Sequence, residues 1–340
     1  MHGKIMATIY EVSKLAGVSL ATVSRVMNNS GRVTDKTRQK VLAAMAELGY
    51  RPNSIAQSLA SNRTNSVGIL VPELHGPFFG TMLSGIEAEL RAAKKHVIIT
   101  VGHSEEEKEI DGIEFLMSRN CDALILHVDA VTDEYLLQLK GGPTPFVVIN
   151  RSVPGMDDNC INLDNSFGGY IATKALLERG HREIAYISGP HWKTDANERL
   201  AGHRRALVEY GVAPNDKLVF EGDFHESGGT EGMGWLIRQG VPFSAVICAN
   251  DDMAAGAMVV ARENGLDVPD DVSVIGFDNL LFSHFTHPKL STVDYPVNDM
   301  GQMAARLILK NVYQQEGYEI QNVFEPGLVD RASVKTIPGR

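Results

Sequence analysis

The 340-residue sequence lacks the features that direct a chain to membranes or to oxidising compartments. It has no apolar run of about eighteen residues, the length that a membrane-spanning helix requires. Residues 1–6 contain no apolar stretch of the kind that forms a signal peptide, so we expect a cytoplasmic protein with no membrane partner. The three cysteines, Cys121, Cys160 and Cys248, are far apart and lack metal-ligand spacing, so we expect neither disulfides nor a metal site.

Catalytic signatures are also missing from the sequence. There is no GxSxG, no HExxH and no phosphate-binding loop, since the glycine-rich run 228–232 is not followed by Lys and Ser or Thr. We therefore expect a protein that is not an enzyme and carries no cofactor. A sugar-metabolising enzyme is the alternative, because paired carboxylates perform glycoside hydrolysis.

The charge is distributed unevenly along the chain, whose formal net charge is −10. Residues 1–63 hold nine Lys or Arg and three acidic residues, which gives +6, whereas the remaining 23 basic and 39 acidic residues give −16. A basic head on an acidic body attracts phosphate at one end and repels it elsewhere. The distribution therefore predicts a DNA-contacting head, followed by a polar linker at 61–66.

The head, residues 8–59, begins with two short helical patterns separated by a tight turn. In the first, Val12, Leu15 and Ala16 fall three and four positions apart, which places them on one face of a helix. Gly17 supplies the positive φ that the turn requires, and Ser19 is a suitable N-cap for the second helix. The pattern predicts a helix-turn-helix, and an amphipathic helical hairpin inside an ordinary core is the alternative.

The second helix carries a surface that suits a DNA groove. Its core positions are Val23, Val26 and Met27, and its outward positions are Leu20, Ala21, Ser24 and Arg25. Arginine binds guanine or phosphate, and small apolar groups contact thymine methyls.

A third helix is predicted from its cap, Thr34, to its terminator, Gly49. Its inner stripe comprises Val41, Leu42, Met45 and Leu48. After Pro52, residues 53–60 have helical character but are too few to form a stable helix alone.

Beyond the linker, short apolar runs alternate with helical patterns such as 79–95 and 105–119. The predicted strands are 67–71, 97–101, 123–127 and 146–150 in a first set, and 184–188, 219–222, 245–249 and 272–277 in a second. Continuous apolar strands alternating with helices indicate parallel sheets covered on both faces. Two such arrays predict two similar lobes, with a ligand site beyond the carboxyl ends of the strands.

These patterns resemble the LacI/GalR family of sugar- and purine-responsive regulators, and the resemblance runs along nearly the whole chain. It rests on residues 17–19 (GVS), 21–26 (ATVSRV), 48–53 (LGYRPN) and 57–60 (QSLA). Its galactose-repressor branch is indicated by residues 77–80 (PFFG), 148–155 (VINRSVPG), 250–257 (NDDMAAGA) and 322–324 (NVF).

The resemblance implies a small all-α helix-turn-helix head and an α/β body of two similar parallel-sheet lobes like those of periplasmic binding proteins. The implied domains are a head at 6–52, a hinge helix and linker at 53–65, a first lobe at 66–163 and 292–322, and a second lobe at 164–291 and 323–340. The chain then crosses three times between the lobes.

For the head, the resemblance implies a homodimer on a pseudo-palindromic operator of double-stranded DNA. Recognition helices would enter the major groove, and hinge helices paired across the dimer would place Leu59 as a wedge in the minor groove. The expected DNA contacts are Thr8, Ser19, Leu20, Ala21, Thr22, Ser24, Arg25, Asn28, Asn53, Ala56 and Leu59. For Leu59, packing of a linker residue on the body is the alternative.

For the body, the resemblance implies a small sugar effector bound between the lobes. The expected contacts are His75, Phe79, Asn150, Arg199, Phe224, Asn250, Asp278 and Tyr295, with Trp192 at the rim. Aromatic faces combined with Asn, Asp and Arg side chains suit a sugar. A helix cap is the alternative role for Asp278, and core packing is the alternative for Phe79.

The effector itself stays open, because Gly76 stands where the galactose repressors have an acidic residue before the proline. Galactose or a galactoside is expected first, and another hexose, a β-glucoside or a nucleoside is the alternative. Dimer contacts are expected from helices near 79–95 and 227–238, and no heptads follow Val334 to support a tetramer. A transport solute-binding protein is a further alternative, because it shares the two-lobe body. It has no basic head, however, and this sequence lacks the export signal that such a protein needs.

Overall fold

The computed structural model describes residues 7–27, 31–50 and 63–338, and the chain divides into two units, Met1–Ser66 and Val67–Arg340. Of the expected DNA contacts, Asn28, Asn53, Ala56 and Leu59 lie outside the described residues. Among the described residues, no helix is both long and apolar enough to cross a membrane.

Within its described part, the first unit contains three helices: α1 (Ile9–Ala16), α2 (Leu20–Met27) and α3 (Asp35–Leu48). Thr8 caps α1 through a capping box, because its hydroxyl accepts from the Glu11 N–H while the Glu11 carboxylate accepts from the Thr8 N–H at 2.6 Å. Gly17 ends α1 at φ +64° and Gly49 ends α3 at φ +60°, a conformation that favours glycine. The predicted helix-turn-helix and third helix are therefore confirmed.

The core of this unit is narrower than the sequence pattern predicted. Leu15 and Leu42 were expected inside, but they are 45% and 46% exposed. Each leucine stands next to a buried residue, Ala16 or Val41, and one position turns a helix by about 100°. Three short helices bury only a narrow stripe of side chains. The small side chain of Ala44 lies in this stripe, and the larger Leu42 does not.

Beyond the head, strands and helices alternate. From Ser66 to Leu163 the elements are β1 (Ser66–Val71), α4 (Pro77–Ala92), β2 (His96–Val101), α5 (Glu106–Ser118), β3 (Ala123–Leu126), α6 (Asp133–Lys140), β4 (Phe146–Ile149) and β5 (Cys160–Leu163). From Asn165 onward they are α7 (Asn165–Glu178), β6 (Ile184–Ser188), α8 (Thr194–Glu209), β7 (Val219–Glu221), α9 (Glu226–Gln239), β8 (Ala245–Cys248), α10 (Asp251–Glu263), β9 (Ser273–Asp278), β10 (Ser291–Asp294), α11 (Val297–Asn311), β11 (Val323–Phe324) and β12 (Gly327–Val329). Short 3-10 helices lie at Asp157–Asn159, Asp216–Leu218 and Leu281–His284.

These elements form two six-stranded sheets, one in each lobe. The first has the order β11-β5-β4-β3-β1-β2, and the second has the order β12-β10-β9-β8-β6-β7. The strand pairs β1–β3, β3–β4, β4–β5, β6–β8, β8–β9 and β9–β10 are parallel, whereas β12 pairs antiparallel with β10. Helix α4 packs on α11 in the first lobe, and α7 packs on α8 and α9 on α10 in the second. Covered, mainly parallel sheets are the predicted architecture.

Sheet membership places three crossings between the lobes, after β5, after β10 and after β11. Two implied boundaries were wrong by a few residues. The first lobe was expected to resume at 292, but β10 pairs with β9 in the second sheet, with Thr292 opposite Gly276. The second lobe was expected to resume at 323, but β11 pairs with β5 in the first sheet, with Val323 opposite Asn162. Strand pairing, which the sequence pattern does not display, sets both boundaries.

Helices α7 and α8 approach each other closely at two glycines. A Cβ on Gly169 would lie 1.9 Å from the carbonyl oxygen of Arg199, and a Cβ on Gly202 would lie 1.9 Å from that of Ser166. No larger side chain fits without moving a backbone. This contact fixes the position of α8, the helix that carries Arg199.

Candidate functional site

A cleft of about 700 Å³ opens within the second unit, between its two lobes. Its walls are the segments that follow β1, β2, β3 and β4 in the first lobe and β6, β7, β8 and β9 in the second. The cleft therefore lies beyond the carboxyl ends of the strands, where parallel sheets bind ligands. Its volume is within the range of small-molecule sites.

Most of the predicted effector contacts meet in this cleft. The lining includes His75, Phe79, Asn150, Arg199, Phe224, Asn250 and Asp278, together with the rim residue Trp192. Two of them also have local structural roles. Asn250 caps α10 by accepting from the Met253 N–H at 2.9 Å, and Phe79 packs edge-on against Phe78 and His127.

Tyr295 is the exception, because it lies behind the cleft wall and not in it. It is 3% exposed, and its ring packs edge-on against Phe78 and Phe277 at 5.0 and 6.3 Å between centroids. Its hydroxyl has no hydrogen-bond partner among the described residues. Tyr295 was expected in the site from the family resemblance, which could not show that two phenylalanines would cover its ring.

Arg199 is the buried cation at the base of the cleft. Its Nε donates to Asn165 Oδ1 at 2.9 Å, and its guanidinium lies 3.8 Å from the centroid of the Phe277 ring. Its nitrogens lie 4.0 Å from Asp195 Oδ2 and 3.8 Å from Asp278 Oδ1. A charge-assisted hydrogen bond is about 2.7–2.9 Å long, so both carboxylates are close enough to attract Arg199 but too far to bond to it directly. A ligand hydroxyl group beside either pair can therefore bridge the guanidinium and the carboxyl group by hydrogen bonds.

Three of the predicted effector contacts have an unusual backbone conformation, as do His103 and Ser104 in the same cleft. The φ angles are +61° at Asn150, +67° at Phe224 and +107° at Asp278, and none of the three is glycine. Positive φ is strained for such residues and is concentrated at functional sites. Each turn directs the chain away from a strand end at the cleft, so the strain coincides with the positions expected to contact a ligand.

Burial controls the protonation of the cleft carboxyl groups. It raises the pKa of Asp278 well above its ordinary value, and the positive charge of Arg199 offsets this only in part. Burial also raises the pKa of Asp252, while His225 and His75 act in the opposite direction. A carboxylate accepts hydrogen bonds and a protonated carboxyl group can also donate one, so Asp278 can bind a hydroxyl group in either state.

Two polar contacts join the lobes beside the cleft. Lys193 Nζ, from the second lobe, lies 2.7 Å from Asp129 Oδ2 of the first, and both side chains are largely buried. Asn150 Nδ2, from the first lobe, donates to Asp195 Oδ2 of the second at 3.2 Å. These contacts hold the lobes in the arrangement that the structure shows.

Several cleft residues were absent from the predicted site. They are Glu73, Ser104, His127, Lys193, Asp195, Asp223, His225, Glu226 and Asp252. Glu73, His127 and Asp223 follow predicted strands, so the position of strand ends could have identified them. Lys193 and Asp195 lie farther along a loop and at the start of α8, where no local pattern marks them.

Helix α2 leaves the side chains predicted to contact DNA at least partly accessible. Ala21 and Arg25 are exposed, and Leu20, Thr22 and Ser24 are half-buried. Ser19 caps the helix, since its hydroxyl accepts from the Thr22 N–H at 3.2 Å. Thr8 and Ser19 thus both lie at helix N-termini, where backbone N–H groups favour phosphate.

Known proteins resemble both units of the chain. The family of bacterial regulatory proteins called the lacI family matches residues 8–53, and a periplasmic binding protein-like domain matches residues 173–334. The HTH-type transcriptional regulator GalR of Escherichia coli strain K12 is 44% identical over 331 residues, which make up 97% of this chain and 96% of that protein.

Solved structures extend the similarity to the fold. The Lac repressor dimer bound to operator and the anti-inducer ONPF has a TM-score of 0.86 and 29% identity, covering 97% of this chain and 99% of that one. The complex of the transcriptional regulator CelR with cellobiose has a TM-score of 0.71 and 31% identity, covering 96% and 99%. With its helix-turn-helix head and two-lobe body, the chain belongs to the LacI/GalR family of bacterial transcriptional regulators.

Proposed function

We propose that this regulator represses transcription as a homodimer bound to a pseudo-palindromic operator, and that a small neutral sugar in the cleft releases it from DNA. D-galactose or a galactoside is the first candidate, by the resemblance of residues 148–155 and 250–257 to the galactose repressors. The observation that carries the proposal is a cleft that combines carboxyl groups, amides and aromatic faces.

The charge of the cleft favours a neutral ligand over an anion. Its cations are Lys193 and Arg199, whereas its carboxyl groups are those of Glu73, Asp195, Asp223, Glu226, Asp252 and Asp278. A sugar phosphate would be repelled by this excess of carboxyl groups. A neutral sugar instead donates hydroxyl hydrogens to them, and the apolar faces of its ring stack on aromatic side chains such as Phe224 and Trp192.

The loop before α4 determines how closely the effector matches galactose. Gly76 precedes that helix at φ +86°, and a Cβ there would meet nothing within 4 Å. An acidic side chain has room at this position but would be strained by the positive φ. Without that acid the cleft edge has one hydroxyl acceptor fewer, so another hexose or a β-glucoside is the second candidate. The related CelR structure contains cellobiose.

On the DNA side, we infer that α2 enters the major groove with Leu20, Ala21 and Arg25 toward the bases. Ser19, Thr22 and Ser24, at and beside the start of this helix, would contact phosphates. Residues near 53–60 would then pair across the dimer in the minor groove. Helices α4 and α9 are the proposed dimer surfaces, and a Lac repressor dimer on operator is among the similar structures.

We also infer that the chain has no catalytic activity and acts in the cytoplasm, as expected of a DNA-bound regulator. A sugar-processing enzyme would convert its ligand, so recovery of the sugar unchanged after prolonged incubation tests this point directly.

The experiment that tests the effector is a thermal-shift screen of the purified full-length chain. The panel contains D-galactose, other hexoses, galactosides, β-glucosides, cellobiose, nucleosides and a sugar phosphate. A ligand that binds only the folded state raises the melting temperature. Asp278→Asn replaces a cleft carboxyl group by an amide of the same shape, and Glu316→Gln, at an exposed loop position outside the cleft lining, is the matched control.

We expect a neutral sugar to raise the melting temperature of the wild type and of Glu316→Gln, and to shift Asp278→Asn much less. The same sugar should release a labelled operator duplex from the wild type in an anisotropy titration. A shift by the sugar phosphate alone would contradict the charge argument. Sugar binding without any operator binding would instead favour a solute-binding protein.

A further inference from the structure

Three metal-ligating side chains from the two lobes meet at the mouth of the cleft. Glu73 and His75 follow β1 in the first lobe, and His225 precedes α9 in the second. One ligand atom from each of the three lies within 4.8 Å of the others. Among the described residues, no other group of three His, Cys, Asp or Glu side chains comes this close.

The geometry needs only a small adjustment to bind an ion. His75 Nδ1 lies 3.0 Å from Glu73 Oε2, and the rings of His75 and His225 are 21° from parallel with centroids 6.0 Å apart. Ligand atoms about 2.0–2.1 Å from a tetrahedral Zn²⁺ lie about 3.3 Å from one another. Atoms within 4.8 Å of one another must therefore approach by at most about 1.5 Å, which the His75 side chain can accommodate because it is 74% exposed.

The loop that carries His225 is held in place by its own hydrogen bonds. The His225 N–H donates to Asp223 Oδ1 at 2.8 Å, and the Ser227 hydroxyl donates to Asp223 Oδ2 at 2.8 Å. A metal-ligating residue on an ordered loop loses less conformational freedom when it binds the ion. The imidazole of His225 is thus presented at the N-cap of α9, across the cleft from His75.

The local charge also favours a cation. Asp252 at the start of α10 interacts electrostatically with Glu73, His75 and His225. The two carboxyl groups beside the imidazoles offset the charge of a divalent ion. Two imidazoles and a carboxylate are ligands that Zn²⁺ prefers, and they bind Ni²⁺ and Cu²⁺ as well.

We propose that Glu73, His75 and His225 bind a divalent transition-metal ion, Zn²⁺ in the first instance, which ties the two lobes together across the mouth of the cleft. A fourth coordination position remains for water or for Asp252. If the cleft binds the effector as proposed above, the ion narrows the path by which the sugar enters and leaves. Metal availability would then modulate the rate at which the regulator responds.

The first test measures Zn²⁺ binding to the full-length chain by isothermal titration calorimetry after chelator treatment and dialysis. We expect one ion per chain from this site, and His75→Ala and His225→Ala should each weaken it at least about tenfold, the lower end of what losing even an outer-shell partner costs. His96→Ala is the matched control, because His96 is an exposed histidine on β2, away from the cleft. Its affinity should equal that of the wild type.

Two results would overturn the proposal. Absence of Zn²⁺ binding at tens of micromolar metal would remove the site. Equal affinity in the wild type and His225→Ala would show that the second lobe contributes no ligand, so that no bridge exists. Loss of binding in all variants including His96→Ala would likewise exclude the assigned residues.

A second measurement follows the consequence for the effector, and it rests on the proposed function. With the sugar identified by thermal shift, stopped-flow dissociation should be slower in Zn²⁺ and recover after chelation, and His225→Ala should abolish this effect. A chain that binds Zn²⁺ as predicted but binds no sugar would refute the proposed effector and leave the metal site standing. Normal sugar dissociation in Zn²⁺ would refute the narrowing of the cleft.

Discussion

The ion pair between Lys193 and Asp129 permits a quantitative prediction about how the lobes close on an effector. The two groups are 2.7 Å apart, at 17% and 14% side-chain exposure, so solvent screens them little. A hydrogen bond to a charged group contributes about 1.5–3 kcal/mol. Because Asp129 Oδ2 also accepts from the Ser104 hydroxyl at 2.6 Å, its carboxylate keeps one partner when Lys193 is removed, and we take about 2 kcal/mol for the loss.

Lys193→Met should therefore weaken sugar binding about 30-fold, since each 1.4 kcal/mol is a factor of ten. The reason is that the ligand must then close the lobes without this bridge, and the population of the closed arrangement falls. Isothermal titration calorimetry with the sugar from the thermal-shift screen measures the change.

A double-mutant cycle separates the bridge from general damage. Lys193→Met combined with Asp129→Asn should weaken binding little more than either change alone, because both remove the same contact. Lys174→Met is the matched control, since Lys174 lies 3.9 Å from Glu178 within one exposed helix face and should leave affinity unchanged. Wild-type affinity in Lys193→Met, or fully additive losses in the double variant, would show that the Lys193–Asp129 bridge does not stabilise the sugar-bound arrangement.

Three further predictions follow from the structure and the sequence. Asp278→Ala should bind operator normally yet stay bound when sugar is added, because it loses an acceptor in the cleft; ordinary release in an anisotropy titration would remove Asp278 from the site. Leu59→Ala should weaken operator binding far more than sugar binding, and unchanged operator affinity would contradict the wedge. Burial raises the pKa of Asp251 from 3.8 to about 7, so the folded chain retains a proton that the unfolded chain has released, and the free energy of unfolding should fall as pH rises from about 4 to about 7. Urea unfolding should show a flatter profile over that interval for Asp251→Asn, whereas parallel profiles for the two chains would refute the assignment.

Most strands with continuous apolar side chains were predictable, whereas the polar strand β10 was not. The runs at β1, β3, β4, β6 and β8 were recognised because buried parallel strands are apolar on both faces. β10 has the sequence STVD and was not recognised. Its Ser291 N–H donates to Ser333 Oγ at 2.8 Å, and its Thr292 hydroxyl donates to Asp251 Oδ1 at 2.6 Å. Partners some forty residues away make this polar strand stable when buried, and no local pattern reveals them.

The residues of the candidate site were likewise predictable only in part. Asn150, Asn250 and Asp278 were predictable because each stands at the end of an apolar strand or directly after it. The contacts between the lobes were not, since Lys193 and Asp129 are 64 positions apart and approach only when both sheets have formed. The burial of Tyr295 behind Phe78 was hidden for the same reason.

The three chain crossings between the lobes have a mechanical consequence. A single connection would let one lobe swivel freely on the other, but three connections restrict the relative movement of the lobes to fewer directions. The path of closure is then a property of the backbone and not of the molecule that triggers it. Substitutions at the cleft edge, such as the glycine at position 76, can therefore change the chemical signal while the movement delivered to the rest of the protein stays the same. A scaffold of this kind allows the recognised effector to change in evolution while the movement that it triggers stays the same.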